Sequence, residues 1–282
     1  MSYHISSDRF DDPSLTELLR TLTRYFQSIG IDFYVIGAAA RDIVLGGIHD
    51  RKTGRRTMDL DIAIMVADWE TFEQIAAGLC GMSEFRRSDR QKQRFHFKER
   101  LVLDILPFGE IAESDKNIYW PPNGTQAMSV SGFTEMAREA LSVEIAGQFT
   151  ILVASVPGIF ILKIFAWRDR CRQTKKDAED IALFIDEYFE INLDRTIGED
   201  RDIYASENFS TFIAGGILMG RDCKMMLRDN VQLLSEFAKI IESEIVKEEG
   251  SLLINQILEA HLSKKYEEVY DALAKMLEEL KK

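Results

Sequence analysis

The run Asp59-Leu60-Asp61-Ile62-Ala63-Ile64-Met65-Val66 reads as a β-strand that begins with two carboxylates. From Leu60 onward it is rich in aliphatic and β-branched residues, which suit a pleated, half-buried surface. Side chains alternate along a strand, so Asp59 and Asp61 share one face while Leu60, Ile62 and Ile64 turn toward a core. Two carboxylates on one face of a buried strand repel each other and lose hydration. A divalent cation, which prefers hard oxygen ligands, would compensate both costs. A polar turn at the start of a strand is the plainer account of such a pair, but the apolar neighbours on both sides of Asp61 count against it.

A second short apolar run, Arg100-Leu101-Val102-Leu103-Asp104-Ile105-Leu106-Pro107-Phe108, carries one carboxylate in its middle. It reads as a strand ended by Pro107 and Gly109. An Asp at its centre is costly unless paired or metal-bound. If the two strands are neighbours, Asp59, Asp61 and Asp104 together hold two metal ions about 3.5–4 Å apart, an arrangement suited to in-line phosphoryl transfer. Upstream, Phe33-Tyr34-Val35-Ile36-Gly37-Ala38-Ala39-Ala40-Arg41-Asp42 reads as strand, tight turn and helix start. The first amides of that helix, at Gly37 and Ala38, form an anion site suited to a triphosphate. Taken alone, a turn of small residues for close packing explains the segment as well.

After Pro157-Gly158 comes an apolar helix in which Lys163 stands among Ile, Leu, Phe and Ala. A lysine there is expensive unless it meets an anion or reaches water. Arg170 falls two turns on, on a similar face, and Asp177 and Asp180 follow at i,i+3 on the next helix. Contact with an anion and a salt-bridged helix pair are the two accounts of this layout.

In chain order the reading is an opening helix with Leu15, Leu18, Leu19, Leu22 and Phe26 at helical spacing, then the Phe33 strand. A helix from Ala38 to Leu45, ended by Gly46-Gly47, precedes the carboxylate strand; a helix from Trp69 to about Leu79 follows it. Arg94-Phe95-His96-Phe97-Lys98 alternates as a strand with both phenylalanines inward, and a hairpin turns around Gly147-Gln148. Beyond residue 157 the pattern is helical, with a break expected at Ala214-Gly215-Gly216 and an apolar stripe of Val269, Ala272, Leu273, Met276, Leu277 and Leu280 that suits core packing. The expectation is an α+β chain: a mixed sheet with helices over residues 1–156, then a helical domain over 157–282 that completes a nucleotide cleft.

Charge is unevenly spread. The net charge is −12, which argues against a broad nucleic-acid-binding surface. Residues 183–282 carry 12 Lys/Arg against 21 Asp/Glu, whereas residues 86–100 carry seven positive and two negative side chains. That basic segment leads into the Asp104 strand; it either guides RNA or a nucleotide to the carboxylates or forms an edge strand protected by its cations. No apolar run is long enough for a bilayer, the N-terminus lacks a signal-peptide layout, and Cys80, Cys171 and Cys223 are odd in number without metal spacing. A cytoplasmic protein with reduced thiols is therefore expected, with no membrane partner.

Together, the Gly37 turn, Arg55-x-Thr57-x-Asp59-x-Asp61 and the isolated Asp104 resemble the DNA polymerase β-like nucleotidyltransferases. The Gly37 to Asp42 turn looks like that of tRNA-CCA-adding enzymes. The Arg-x-Thr-x-Asp-x-Asp spacing and the Lys163…Arg170…Lys176-Asp177 layout look closer to the AbiEii-type toxins of abortive-infection and toxin–antitoxin systems. The chain departs from the pattern at Ala38, where the family usually has Gly or Ser. The resemblance implies a polymerase β-like sheet and transfer of NMP from an NTP to an acceptor hydroxyl. It implies Mg2+ or Mn2+ on Asp59, Asp61 and Asp104, with Lys163 serving the chemistry. It places Gly37, Ala38, Arg41, Arg55, Thr57, Lys163 and Asp177 around the nucleotide. The acceptor stays open between an RNA 3′ end, a protein and a small molecule. A partner protein such as an antitoxin would bind the acidic helical region. The other accounts are a nucleotide-binding regulator without turnover and an interaction module built on the acidic helices.

Overall fold

The structure is a computed structural model that describes residues 2–6, 13–53, 59–122, 124, 127–205 and 208–282. The chain divides into two compact units, Met1–Ser155 and Val156–Lys282. It is α+β: the first unit holds a mixed sheet with helices, and the second is helical. Among the described residues no helix is long and apolar enough to cross a membrane.

The first unit opens with strand β1 (Ser2–Ile5) and helix α1 (Pro13–Ile29), followed by β2 (Phe33–Ile36) and α2 (Gly37–Arg41), which continues as a π-helix over Asp42–Ile48. Then come β3 (Asp59–Met65), α3 (Trp69–Cys80), β4 (Phe85–Arg87), β5 (Arg94–Phe97) and β6 (Leu101–Phe108). A small pair, β7 (Asn117–Tyr119) and β8 (Ala127–Ser129), precedes α4 (Phe133–Arg138), β9 (Leu141–Ile145) and β10 (Phe149–Val153). The large sheet has eight strands in the order β1-β9-β10-β2-β3-β6-β5-β4. β3 and β6, the two carboxylate strands, are parallel neighbours near its centre.

Burial sets the register there. Leu60, Ile62, Ile64, Leu103 and Ile105 are all buried, each contributing on the order of 1.5–3 kcal/mol. A slip by one residue would expose all of them and drive the aspartates inward, so the pairing is strongly specified. Tyr25 of α1 donates to the carbonyl of Ile75 in α3 at 2.8 Å, and Phe26 meets Phe33 with ring centroids 5.2 Å apart, which ties the helices to the sheet.

Four expectations change. The chain opens with a strand, because β1 pairs in parallel with β9, from Ser2 opposite Ser142 to Ile5 opposite Ile145. The helix after Gly37 runs through Gly46-Gly47 instead of ending there; the His49 N–H reaches back five residues to the carbonyl of Val44 at 3.2 Å, so the turns widen and continue. Of the basic segment, β5 is an inner strand, while β4, with Arg86 and Arg87, lies outside it at the sheet edge. Phe95 and Phe97 of β5 are buried, as the alternation predicts. The hairpin at Gly147 is present, with Ile145 opposite Phe149.

The fourth change lies in the helical unit: α5 (Val156–Arg170), α6 (Lys176–Ile191), α7 (Leu193–Ile197), α8 (Thr211–Leu227), α9 (Val231–Val246), α10 (Leu252–Ala260) and α11 (Tyr266–Lys281). Gly215 and Gly216 do not break a helix; they lie inside α8. A Cβ on Gly215 would stand 2.0 Å from the carbonyl oxygen of Ile185 in α6, and one on Gly216 would stand 2.6 Å from that of Ala272 in α11. Helix propensity disfavours glycine locally, but here the missing side chains let three helix backbones close on one another. The α11 stripe packs as core, with Val269, Ala272, Leu273, Met276 and Leu280 buried and Leu277 at its margin.

Candidate active site

The centre of the sheet brings three sequence-predicted residues into one neighbourhood. Asp61 lies opposite Asp104 across the parallel β3–β6 pair, and Asp59 lies one pleat away, opposite Val102. Register partners show their side chains on the same face, about 4.8 Å apart in the pairing direction. Asp59 is exposed, while Asp61 and Asp104 are half-buried. Two like charges directly opposite one another on a sheet are destabilising, so this arrangement asks for a cation.

A guanidinium meets one of these carboxylates. Arg94 of β5 lies opposite Asp104 in the antiparallel β5–β6 pair. Its Nε donates to Asp104 Oδ1 at 2.8 Å and its Nη2 to Oδ2 at 2.7 Å, a two-pronged grip. The hydrogen bonds to Asp104 raise the Arg94 pKa, burial opposes the rise, and the charges of Asp104, Asp59 and Asp61 add to it. Arg94 therefore sits in the field of all three carboxylates. Residue-by-residue reading placed it only in a basic run; the signal that singles it out is the register, which aligns Arg94, Asp104 and Asp61 across three strands.

Gly37 closes the other side. β2 runs antiparallel to β3, with Ile36 opposite Asp61, and the chain then turns at Gly37 with φ +65°. A Cβ at Gly37 would stand 2.5 Å from Asp61 Oδ2. Glycine is needed there twice over, for the left-handed backbone and for the space that the carboxylate fills. α2 begins at this point without a side-chain N-cap, and Gly37 and Ala38 are half-exposed.

The remaining predicted residues divide. Arg41 is 2% exposed, and its Nε donates to Asp42 Oδ1 at 2.9 Å. Arg55 and Thr57 lie outside the described residues. Lys163 and Asp177 belong to the helical unit, where Lys163 Nζ lies 3.2 Å from Asp177 Oδ1 and 2.7 Å from Asp180 Oδ2. Arg170 grips the same Asp177 from Nε at 2.6 Å and from Nη2 at 2.8 Å. Burial pushes the Asp177 carboxyl up, but the hydrogen bond and charge of Arg170 and the charge of Lys163 outweigh it and hold the group below the usual carboxylate range.

A divalent metal fits the sheet cluster in kind. The donors are hard carboxylate oxygens on one open face, and Gly37 clears the flank of Asp61. Among the described residues no three His, Cys, Asp or Glu side chains already converge as a metal cage, and Arg94 stands against Asp104 where a cation would bind. Two rows cross this face: Ile36, Asp61, Asp104 and Arg94 in one, and Asp59, Val102, His96 and Arg86 in the other. Basic side chains thus extend from the carboxylates toward the β4 edge.

No protein-family model and no curated protein matches the sequence. The chain is similar to two solved structures of ANT(2'')-Ia. One is a solution structure of that antibiotic-resistance factor, with 15% identity, a TM-score of 0.42, and coverage of 69% of this chain and 95% of that one. The other is a crystal structure of ANT(2'')-Ia in complex with adenylyl-2''-tobramycin, with 14% identity, a TM-score of 0.40, and coverage of 67% of this chain and 92% of that one. Likeness at this level is distant and assigns neither a family nor an activity.

Proposed function

We propose that the chain is a metal-dependent nucleotidyltransferase of the polymerase β-like kind, moving NMP from an NTP to an acceptor hydroxyl. One observation carries the reading: Asp61 and Asp104 stand in register on adjacent parallel strands, beside a Gly37 turn built around the Asp61 carboxylate. Asp59, Asp61 and Asp104 would hold Mg2+ or Mn2+, which supplies charge neutralisation at the phosphates and acidifies the acceptor hydroxyl. The chain's residues do the rest. Asp104 accepts the hydroxyl proton; the hydroxyl oxygen bonds to the α-phosphorus; the bond from that phosphorus to the bridging oxygen breaks, and pyrophosphate leaves with the electron pair. The uncapped amides at Gly37 and Ala38 offer donors to the triphosphate.

The acceptor reading rests on the basic row. Arg86 and His96 continue the Asp59 row outward, which supports a phosphate-bearing acceptor such as an RNA 3′ end. A toxin role, with an antitoxin on the acidic helices, follows from the sequence resemblance alone. The test is incubation with each α-labelled NTP, Mg2+ or Mn2+, and total RNA, protein or aminoglycoside. Label should enter RNA with the wild type and not with Asp61→Asn. Transfer to an aminoglycoside alone sinks the RNA reading. An NTP-dependent rise in melting temperature without transfer to any acceptor leaves a nucleotide-binding regulator.

A further inference from the structure

We propose that Arg94 is a built-in counter-ion that occupies the cation position in the metal-free protein and must leave Asp104 before a divalent ion binds there. This rests on reading Asp59, Asp61 and Asp104 as metal carboxylates. Both Asp104 oxygens accept from Arg94, at 2.8 and 2.7 Å. A divalent ion on either oxygen would stand within a few ångströms of the guanidinium, and like charges so close repel strongly at a half-buried site. The two cations therefore compete for one carboxylate.

The fold suits an exchange. β5 fixes the Arg94 backbone opposite Asp104, so the guanidinium is always within reach when the metal is gone. Its side chain is 28% exposed, against 14% for Asp104, so it has an open direction in which to swing. Among the described residues, the hydrogen bonds its guanidinium donates go to Asp104, with Asp59 and Asp61 adding charge at longer range. Released, the guanidinium stays on the sheet face that carries His96 and Arg86. The device has two consequences. It offsets the repulsion between neighbouring carboxylates in the apo protein, and it weakens metal affinity until another interaction compensates.

The experiment is titration with Mn2+ alone, without nucleotide, following free Mn2+ by electron paramagnetic resonance. Wild type, Arg94→Met, Arg94→Lys and Asp61→Asn are compared, with thermal melts in chelator alongside. Arg94→Met is expected to bind Mn2+ about two- to fivefold more tightly than wild type, the scale of a partly exposed ion pair. It should also melt lower in chelator and regain part of that loss in Mn2+. Arg94→Lys, which keeps the charge without the fork, should fall between, and it carries the comparison if the Met variant does not fold. Equal or weaker Mn2+ binding by both Arg94 variants, with the metal response still lost in Asp61→Asn, overturns the proposal and leaves the metal site standing. Failure of every protein, wild type included, to bind Mn2+ overturns the metal reading and this proposal with it.

Discussion

Asp104 and Asp177 are each gripped by both prongs of an arginine, but they live in opposite surroundings. Asp104 shares its sheet face with Asp59 and Asp61, and its side chain keeps 14% exposure beside a half-exposed Arg94. Asp177 is fully buried between α5 and α6, where Lys163 and Arg170 meet it together with Asp180. In the helices, Lys163 and Arg170 meet Asp177 and Asp180, and both carboxylates are buried while Arg170 stays 50% exposed. In the sheet, Arg94 pairs with Asp104 in a cluster of carboxylates whose Asp59 end is exposed. A fully buried carboxylate held by cations braces its helices, whereas carboxylates gathered on an accessible sheet face make a candidate ligand site. The same hydrogen-bond geometry thus does structural work in one unit and leaves room for chemistry in the other.

The largest expected effect would sharpen that contrast. Asp61→Asn should lower nucleotidyl transfer by about 10³-fold, the several kcal/mol that a metal supplies at roughly 1.36 kcal/mol per decade. Its melting temperature in chelator should change little or rise, since one of two opposed carboxylates loses its charge. Initial rates and melts on one preparation check both halves. A variant that melts much lower in chelator and loses activity in proportion would make the sheet cluster a brace as well.

Asp177→Asn comes next and should act the other way round. It sets the Arg170 fork against a neutral amide while Lys163 keeps Asp180, at a cost of about 2–3 kcal/mol, below the full penalty for a buried pair because Arg170 is half exposed. Urea unfolding should show this as a lower midpoint with unchanged slope. Lys163→Met discriminates further. Loss of stability with unchanged NTP affinity keeps Lys163 in the brace; weaker NTP binding by a well-folded variant would put it with the nucleotide, as the sequence resemblance implies.

Gly37→Ala is smaller in stability and more telling in function. The left-handed backbone alone costs about 1 kcal/mol, and the added methyl, 2.5 Å from Asp61 Oδ2, must push that carboxylate aside. Transfer should fall by about 10- to 100-fold while the fold survives, a ratio that a packing glycine would not give. Gly215 is the contrasting case, because there the added methyl meets backbone.

These differences trace what the sequence could and could not disclose. Alternation alone puts Asp59 and Asp61 on one face, because a strand's period is a local property. Their adjacency to Asp104 needed β3 and β6 to be neighbours, which is topology. Arg94 was hidden because its importance lies in a cross-strand register ten residues from Asp104 in sequence. β1 was missed because four residues hold it to a strand about 140 positions away. The α8 glycines misled because propensity is local, whereas the approach of Ile185 and Ala272 is tertiary.

The smallest expected effect is the acid response of the brace. The Asp177 carboxyl titrates below its ordinary value of 3.8 in the folded protein, because Arg170 and Lys163 outweigh its burial. In the unfolded chain it returns to about 3.9. A depressed folded pKa means that the unfolded state binds protons first, so the stabilisation is fully present above the unfolded value and is lost as pH falls through the folded one. Between pH 7 and 5 the stability gap between wild type and Asp177→Asn should therefore stay constant. Below about pH 4 it should shrink, as wild-type Asp177 takes up its own proton and the variant has none to take. Urea midpoints of both proteins from pH 7 to 3 measure the gap directly. A gap that widens on acidification would mean that Asp177 is held protonated at neutral pH, and the helices would then lack the ionised carboxylate that braces them.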